Sequence, residues 1–293
     1  MYQLTVVRKG NVSLNLVKKN RATAFHKEEA ERFCSYFLDL CSRIDNLLGG
    51  ENFLTKNNKA VLSKRLFNLI ELWNQQKTDD LNRDCASVQK FIEELELVRD
   101  KDRNCFESFK KQLIPQRKGQ SWPGLRFEVH VAASLYEKGC NIRKRESPDF
   151  EIAHNNNQLF VESTSRRFES ASKFSHFNKV KEAIYDKSEK KYANKKTALF
   201  IEASNIFFCE SQMITPIDLE EFYKSLYMDE KIKYGSIVVF SFRKNNDNKR
   251  YESCYRRIEI DGCEPGLKEF LDSLYSNDSF IDTPQSFEHV HTA

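Results

Sequence analysis

The spacing of hydrophobic and polar positions changes period twice along this chain. Residues 1–19 alternate and carry a turn signal within VVRKGNVSLNLV, which predicts a β-hairpin. Beyond them the period becomes helical. Ala30, Phe33, Cys34, Phe37, Leu38, Cys41, Ile44 and Leu48 form one stripe, and Gly49-Gly50 ends it as a C-cap would. Val61, Leu62, Leu66, Leu69, Ile70 and Trp73 predict a second helix over 58–75. Val88, Phe91, Ile92, Leu95, Val98, Phe106 and Phe109 predict a third over 87–113. A bundle or a long antiparallel arm would bury these stripes. The segment PQRKGQSWP at 115–123 is rich in Pro, Gly and basic residues and reads as a joint. It divides the chain into an N-terminal hairpin and helical region, 1–115, and a second domain, 116–293.

The second half changes character. A helix from Pro123 leads into a short strand, a second strand opening on Pro148-Asp149, and a third carrying Glu162. A helix over 176–194, the strand TALFIEAS, a helix over 217–229 and the strand YGSIVVFSFRK follow. A turn at 245–248, the strand YESCYRRIEI, a helix over 265–275 and a polar tail complete the order. Three strands, a crossover helix and a further apolar strand predict an α/β domain with a mixed sheet.

Composition narrows the class without choosing a function. The chain has 293 residues, 40% hydrophobic and 31% charged, with a net charge of +4, too small to imply nucleic acid by itself. Eight cysteines without a C-x-x-C pair fit a reducing cytosol better than a disulfide framework or zinc ribbon. No signal-peptide core and no apolar run near the ~20 residues of a membrane span is present, so the expected compartment is the cytoplasm. The glycines form no phosphate loop, and no Ser or Cys sits in a nucleophile elbow. The histidines show no ligand spacing, and His130, Trp73 and Trp122 read as structural.

Candidate chemistry enters with three acids. Glu128 lies on the apolar stripe of Leu125, Val129, Ala132 and Tyr136. Asp149 opens the segment DFEI, and Glu162 follows Leu159-Phe160-Val161. An unpartnered buried carboxylate costs several kcal/mol, so each requires a partner, and a divalent metal would serve all three. Glu202, in LFIEAS, reads as a paired structural carboxylate.

The order of these residues resembles the PD-(D/E)xK nuclease superfamily, over about residues 123–260. The resemblance implies a restriction-endonuclease-like mixed sheet flanked by helices, here preceded by a mostly helical region. It implies Mg²⁺ or Mn²⁺ held by Asp149 and Glu162 beside the carbonyl of Ser163, with Glu128 orienting a ligand or binding through water. It also implies phosphodiester hydrolysis by an endonuclease of a bacterial or phage defence type, with DNA ahead of RNA. The sequence departs from the family at Glu162-Ser163-Thr164, where Thr164 fills the lysine slot. The apolar stripe Phe177, Val180, Ile184 continues onto Lys187, which becomes the substitute lysine, ahead of Lys181 and Lys190. Arg143, Lys144, Arg145, Arg166, Arg167 and Lys190 are the expected phosphate-backbone contacts, with further basic residues from Lys244 to Arg257. The alternative is an inactive nuclease fold that binds nucleic acid or protein. In either case the helical region would supply recognition, dimerisation or partner contact.

Overall fold

The computed structural model describes residues 2–9, 11–19, 23–49, 53–56, 59–115, 122–165, 176–204, 208–209, 212–213, 224–227, 229–245, 250–275 and 285–287. Among the described residues the protein is a mixed α/β structure with eight helices and a mixed sheet of six strands plus a short seventh at one edge. It separates into two compact units, Met1–Trp122 with Phe287–Ala293, and Pro123–Ser286.

In the first unit β1 (Tyr2–Lys9) and β2 (Asn11–Lys18) pair antiparallel from Tyr2↔Lys18 to Lys9↔Asn11. The helices are α1 (Ala24–Leu48), α2 (Phe53–Lys56), α3 (Val61–Asn74), α4 (Thr78–Lys101) and α5 (Arg103–Leu113). A reciprocal cap starts α1: Thr23 Oγ1 accepts from the His26 N–H, and the His26 ring returns to Thr23. Asn74 fastens the hairpin to α3, accepting from Leu4 N and donating to Leu4 O, both at 2.8 Å. Trp73 donates to Tyr2 O and stacks on Phe33 at 4.6 Å. The single helix expected over 87–113 is two helices. Asp102 adopts an extended backbone, and its carboxylate accepts from Asn104 N (2.8 Å) and Cys105 N (3.1 Å). That cap opens α5 while the apolar stripe runs on across the break. Cys34, Cys41, Cys85 and Cys105 are buried thiols here, and burial pushes the Cys34 thiol up to about 11, suiting them to packing rather than reactivity.

The second unit contains α6 (Trp122–Glu137, entering from the boundary), β3 (Asn141–Lys144), β4 (Phe150–His154), β5 (Asn157–Ser165) and α7 (His176–Ser188). Next come β6 (Thr197–Glu202), the small ladder β7–β8 (Phe208–Cys209, Gln212–Met213), β9 (Ser236–Asn245), β10 (Arg250–Glu259) and α8 (Pro265–Leu274). The sheet order is β10-β9-β6-β5-β4-β3, with β11 (Gln285–Phe287) a three-residue segment at the β10 edge. Strands β5, β6 and β9 run parallel in the middle, and the outer pairings are antiparallel. All six residues of β6 are buried, the pattern of a strand covered on both faces. On one face Val180 and Ile184 of α7 join Leu199, Ile201, Ile237, Val239 and Ile258. On the other, Phe127 of α6 meets Phe240 at 5.5 Å, and Phe200 meets Tyr275 at 5.4 Å.

Local chemistry sets the turns. Asn155 and Asn156 take φ 45° and 62° in the two-residue link of β4 to β5, which needs left-handed backbone at both positions. Helix α7 stops at Ser188 rather than at 194. Asn194 accepts from Lys196 N and donates to Tyr192 O, local bonds that compete with helix continuation. The helix expected over 217–229 and the turn at 245–248 fall largely outside the described residues. No helix among the described residues is long and apolar enough to cross a membrane.

Gly235 marks a close crossing just ahead of β9. Its N–H donates to Thr197 O and its carbonyl accepts from Ile260 N. A Cβ there would press on the Lys195 carbonyl and lie 2.8 Å from Leu267 Cδ2. Gly235→Ala is expected to destabilise the protein by roughly 1–3 kcal/mol, the range for overpacking. A thermal melt matching the wild type would contradict this.

Candidate active site

Four elements bring the acids together. Glu128 projects from the middle of α6, Asp149 from the turn before β4, and Glu162 from β5, while Lys187 stands in the last turn of α7. The β5 pleat places Glu162 on the face that α7 covers, which lets the stripe of Val180 and Ile184 end at a carboxylate. Lys187 Nζ forms a close ion pair with Glu162 Oε1. Tyr192 donates to the same oxygen at 2.8 Å. Ser163 holds Asp149 from its neighbouring position: both its N–H and its hydroxyl donate to Oδ2 at 2.7 Å. Lys144 Nζ pairs closely with Glu128 Oε1 and lies 3.7 Å from Asp149 Oδ1.

Electrostatics link the three carboxyls into one cluster. Burial pushes Glu128 up to about 7, with Asp149 and Glu162 adding like-charge repulsion and Lys144 opposing it. Glu162 is also raised, first by burial and then by Asp149, while Lys187 and Tyr192 hold it down. The Tyr192 hydroxyl is raised by burial and by its bond to Glu162. Asp149 therefore acts on both outer acids, each of which leans on its own lysine.

The other sequence-derived positions fall elsewhere. Lys144, grouped with Arg143 and Arg145 as a backbone contact, instead turns into the acid cluster, its side chain 8% exposed. The β3 pleat explains this: Ile142 is buried and Lys144 shares its side, while Arg143 faces the other way. Arg145 is taken by Glu151, which also accepts from Gln158. Arg143 and Lys190 are exposed, and Arg166 and Arg167 lie outside the described residues. Lys181 sits 4.0 Å from Asp229, away from the acids. Arg257, counted among the surface cations, is buried against Asp272, Glu259 and the Tyr275 carbonyl. Glu202 accepts from Ser165 and faces Arg126 at 3.9 Å. His130 packs on Phe127, Phe240 and Phe242. Lys144 and Tyr192 are the two members that sequence reasoning missed. The alternation of NIRK carried a signal for Lys144; Tyr192, between a helix end and a strand, carried none.

The candidate donors are carboxylate oxygens, the ligand type a hard cation takes. Glu128 Oε1 is buried and has no aligned hydrogen bond despite the ammonium beside it. Asp149 Oδ1 stands beyond hydrogen-bond length from Lys144. Among the described residues, no three His, Cys, Asp or Glu side chains surround one point at ligand spacing. A cation here would rest on one or two carboxylates with water or substrate oxygens completing the shell, the habit of Mg²⁺.

Removing the Tyr192 hydroxyl should loosen Glu162. Tyr192→Phe is expected to cost about 1.5–3 kcal/mol, as for a hydrogen bond to a charged group, read as a lowered denaturant midpoint. An unchanged midpoint would show that Tyr192 does not hold Glu162. Comparison with protein-family models, curated proteins and solved structures finds no match to this chain.

Proposed function

We propose that the second unit is a restriction-endonuclease-like, metal-dependent nuclease hydrolysing nucleic-acid phosphodiesters. One observation carries this reading: Asp149 sits electrostatically between Glu128 and Glu162, and a lysine closes each end of the acid row. Asp149 and Glu162 would hold Mg²⁺ or Mn²⁺, with the Ser163 carbonyl on the same strand as a further oxygen. The bound ion would polarise the phosphate and make a coordinated water a better nucleophile. Ser163 fixes the Asp149 rotamer through its two hydrogen bonds. Tyr192 and Lys187 fix Glu162. Glu128, raised toward neutrality, can take or release a proton near physiological pH. Lys187 is 24% exposed, more than Glu162 at 5%, so its ammonium can also meet a phosphate oxygen and offset developing charge. DNA stands ahead of RNA on the family resemblance alone.

Lys187→Ala is expected to reduce cleavage by about 10²–10³-fold, the range for losing one preorganised charge-stabilising contact. Lys181→Ala and Lys190→Ala should leave it near wild type, and the reverse pattern would move the role to another lysine. The activity itself is tested with plasmid, single-stranded DNA and RNA, each in Mg²⁺, Mn²⁺ or EDTA. Cleavage that EDTA stops supports the nuclease. A salt-sensitive gel shift without cleavage in any metal would make the protein a nucleic-acid binder, consistent with Thr164 in the lysine slot.

A further inference from the structure

The two lysines at the acid row are held very differently. Lys187 meets Glu162 from the end of a helix with a quarter of its side chain exposed. Lys144 is 8% exposed, and anchors of its ammonium include Glu128 Oε1, Asp149 Oδ1 at 3.7 Å, the Arg145 carbonyl at 2.7 Å and the Phe150 ring face at 5.3 Å. Two of those anchors are carboxylates that the proposed function assigns to cation chemistry. A buried ammonium so enclosed is a fixed positive charge rather than a mobile one. From this placement we infer that Lys144 is a tethered cation occupying the Glu128–Asp149 side of the site, so that the protein takes a single divalent ion, on the Asp149–Glu162 side.

The charge balance agrees. Counted at formal charge, three carboxylates and two lysines sum to one net negative charge, which one divalent ion more than neutralises and a second would overload. Position supports it as well. Lys144 opposes Phe150, the residue after Asp149, in the β3–β4 ladder, and the Arg145 N–H donates to the Asp149 carbonyl at 2.8 Å. The backbone that carries the ammonium is thus bonded to the backbone that carries the central acid. Lys144 is on this account a positioning residue, acting on the substrate only through Glu128 and Asp149.

The inference rests on the metal-dependent reading and is tested by stoichiometry rather than activity. Mn²⁺ alone is titrated into the full chain and counted by electron paramagnetic resonance, for the wild type and Lys144→Met, whose side chain can still cover Phe150. The expected result is one Mn²⁺ per wild-type chain and two per Lys144→Met chain, with circular dichroism showing that the variant is folded. Two ions on the wild type, or a single ion on folded Lys144→Met, would overturn the assignment of Lys144 while leaving the metal site in place. The wild-type count needs no variant, so it decides even if Lys144→Met does not fold. No Mn²⁺ on either protein would overturn the metal-dependent reading itself.

Discussion

Asp149→Asn is expected to abolish cleavage, by about 10³-fold or more, while leaving the fold intact and the metal-free protein more stable. Loss of activity follows from the position of Asp149 between the two other acids, where its charge is needed for the proposed cation and for the phosphate that binds it. The fold should survive because asparagine keeps an oxygen that can accept from Ser163, whose N–H and hydroxyl now bond to Oδ2. The gain in stability has a separate cause. Asp149 raises both Glu128 and Glu162 by like-charge repulsion, so neutralising it relieves two buried acids at once. Lys144 retains Glu128 as its partner. Activity and melting temperature should therefore move in opposite directions, the behaviour of a site that stores destabilising charge for function. They are measured by plasmid nicking in Mg²⁺ and by thermal melts in EDTA at pH 8. A variant that melts lower and cleaves normally would place Asp149 in the framework rather than in the site.

The second large effect is on pH dependence. The Glu128 carboxyl lies at about 7 in the folded protein, against an ordinary value of 4.5. The folded state thus binds more protons than the unfolded chain between those values, and stability falls as pH rises through that window. A shift of that size corresponds to about 3 kcal/mol lost by pH 8. Glu162, raised in the same direction, adds to the loss. Asp149 and Glu162 are the like charges behind the effect after burial itself, and Lys144 is the opposing one. Denaturant titrations in EDTA from pH 5 to pH 8 should show the decline, and Glu128→Gln should flatten most of it. Mg²⁺ should also shrink the decline, since a cation among the acids lowers the cost of ionising them. A wild-type profile flat over that range, or an equally steep one for Glu128→Gln, would contradict the assignment.

How much of this could be read from the residues varies with the kind of signal. The sheet was legible because its strands carry alternating or continuous apolar runs, DFEI, TALFIEAS and YGSIVVFSFRK among them. The helical unit was legible as stripes but not at its breaks. The stripe through Val98 and Phe106 gives no sign that Asp102 turns outward to cap α5. Glu128, Asp149 and Glu162 could each be marked as uncomfortable in a buried framework, yet their convergence could not come from periodicity, which says nothing about residues far apart in the chain. Only the family resemblance suggested it. The run Arg143-Lys144-Arg145 read as a solvated cationic surface because charge runs are usually solvated. The pleat of β3 separates its members, sending Lys144 inward and Arg143 out. Arg257 misled in the same way, since its partner Asp272 lies on α8, fifteen residues away.

The central proposal is that Asp149 and Glu162, set beside Glu128 and two lysines, would hold a divalent ion for phosphodiester hydrolysis. The most direct test is the rate of strand cleavage on supercoiled plasmid as Mg²⁺ is titrated, removed with EDTA and restored in excess. The account predicts a rate that saturates with Mg²⁺, stops with EDTA and returns with the metal. Cleavage that continues unchanged in EDTA, or none at any Mg²⁺ concentration on plasmid, single-stranded DNA or RNA, would contradict it.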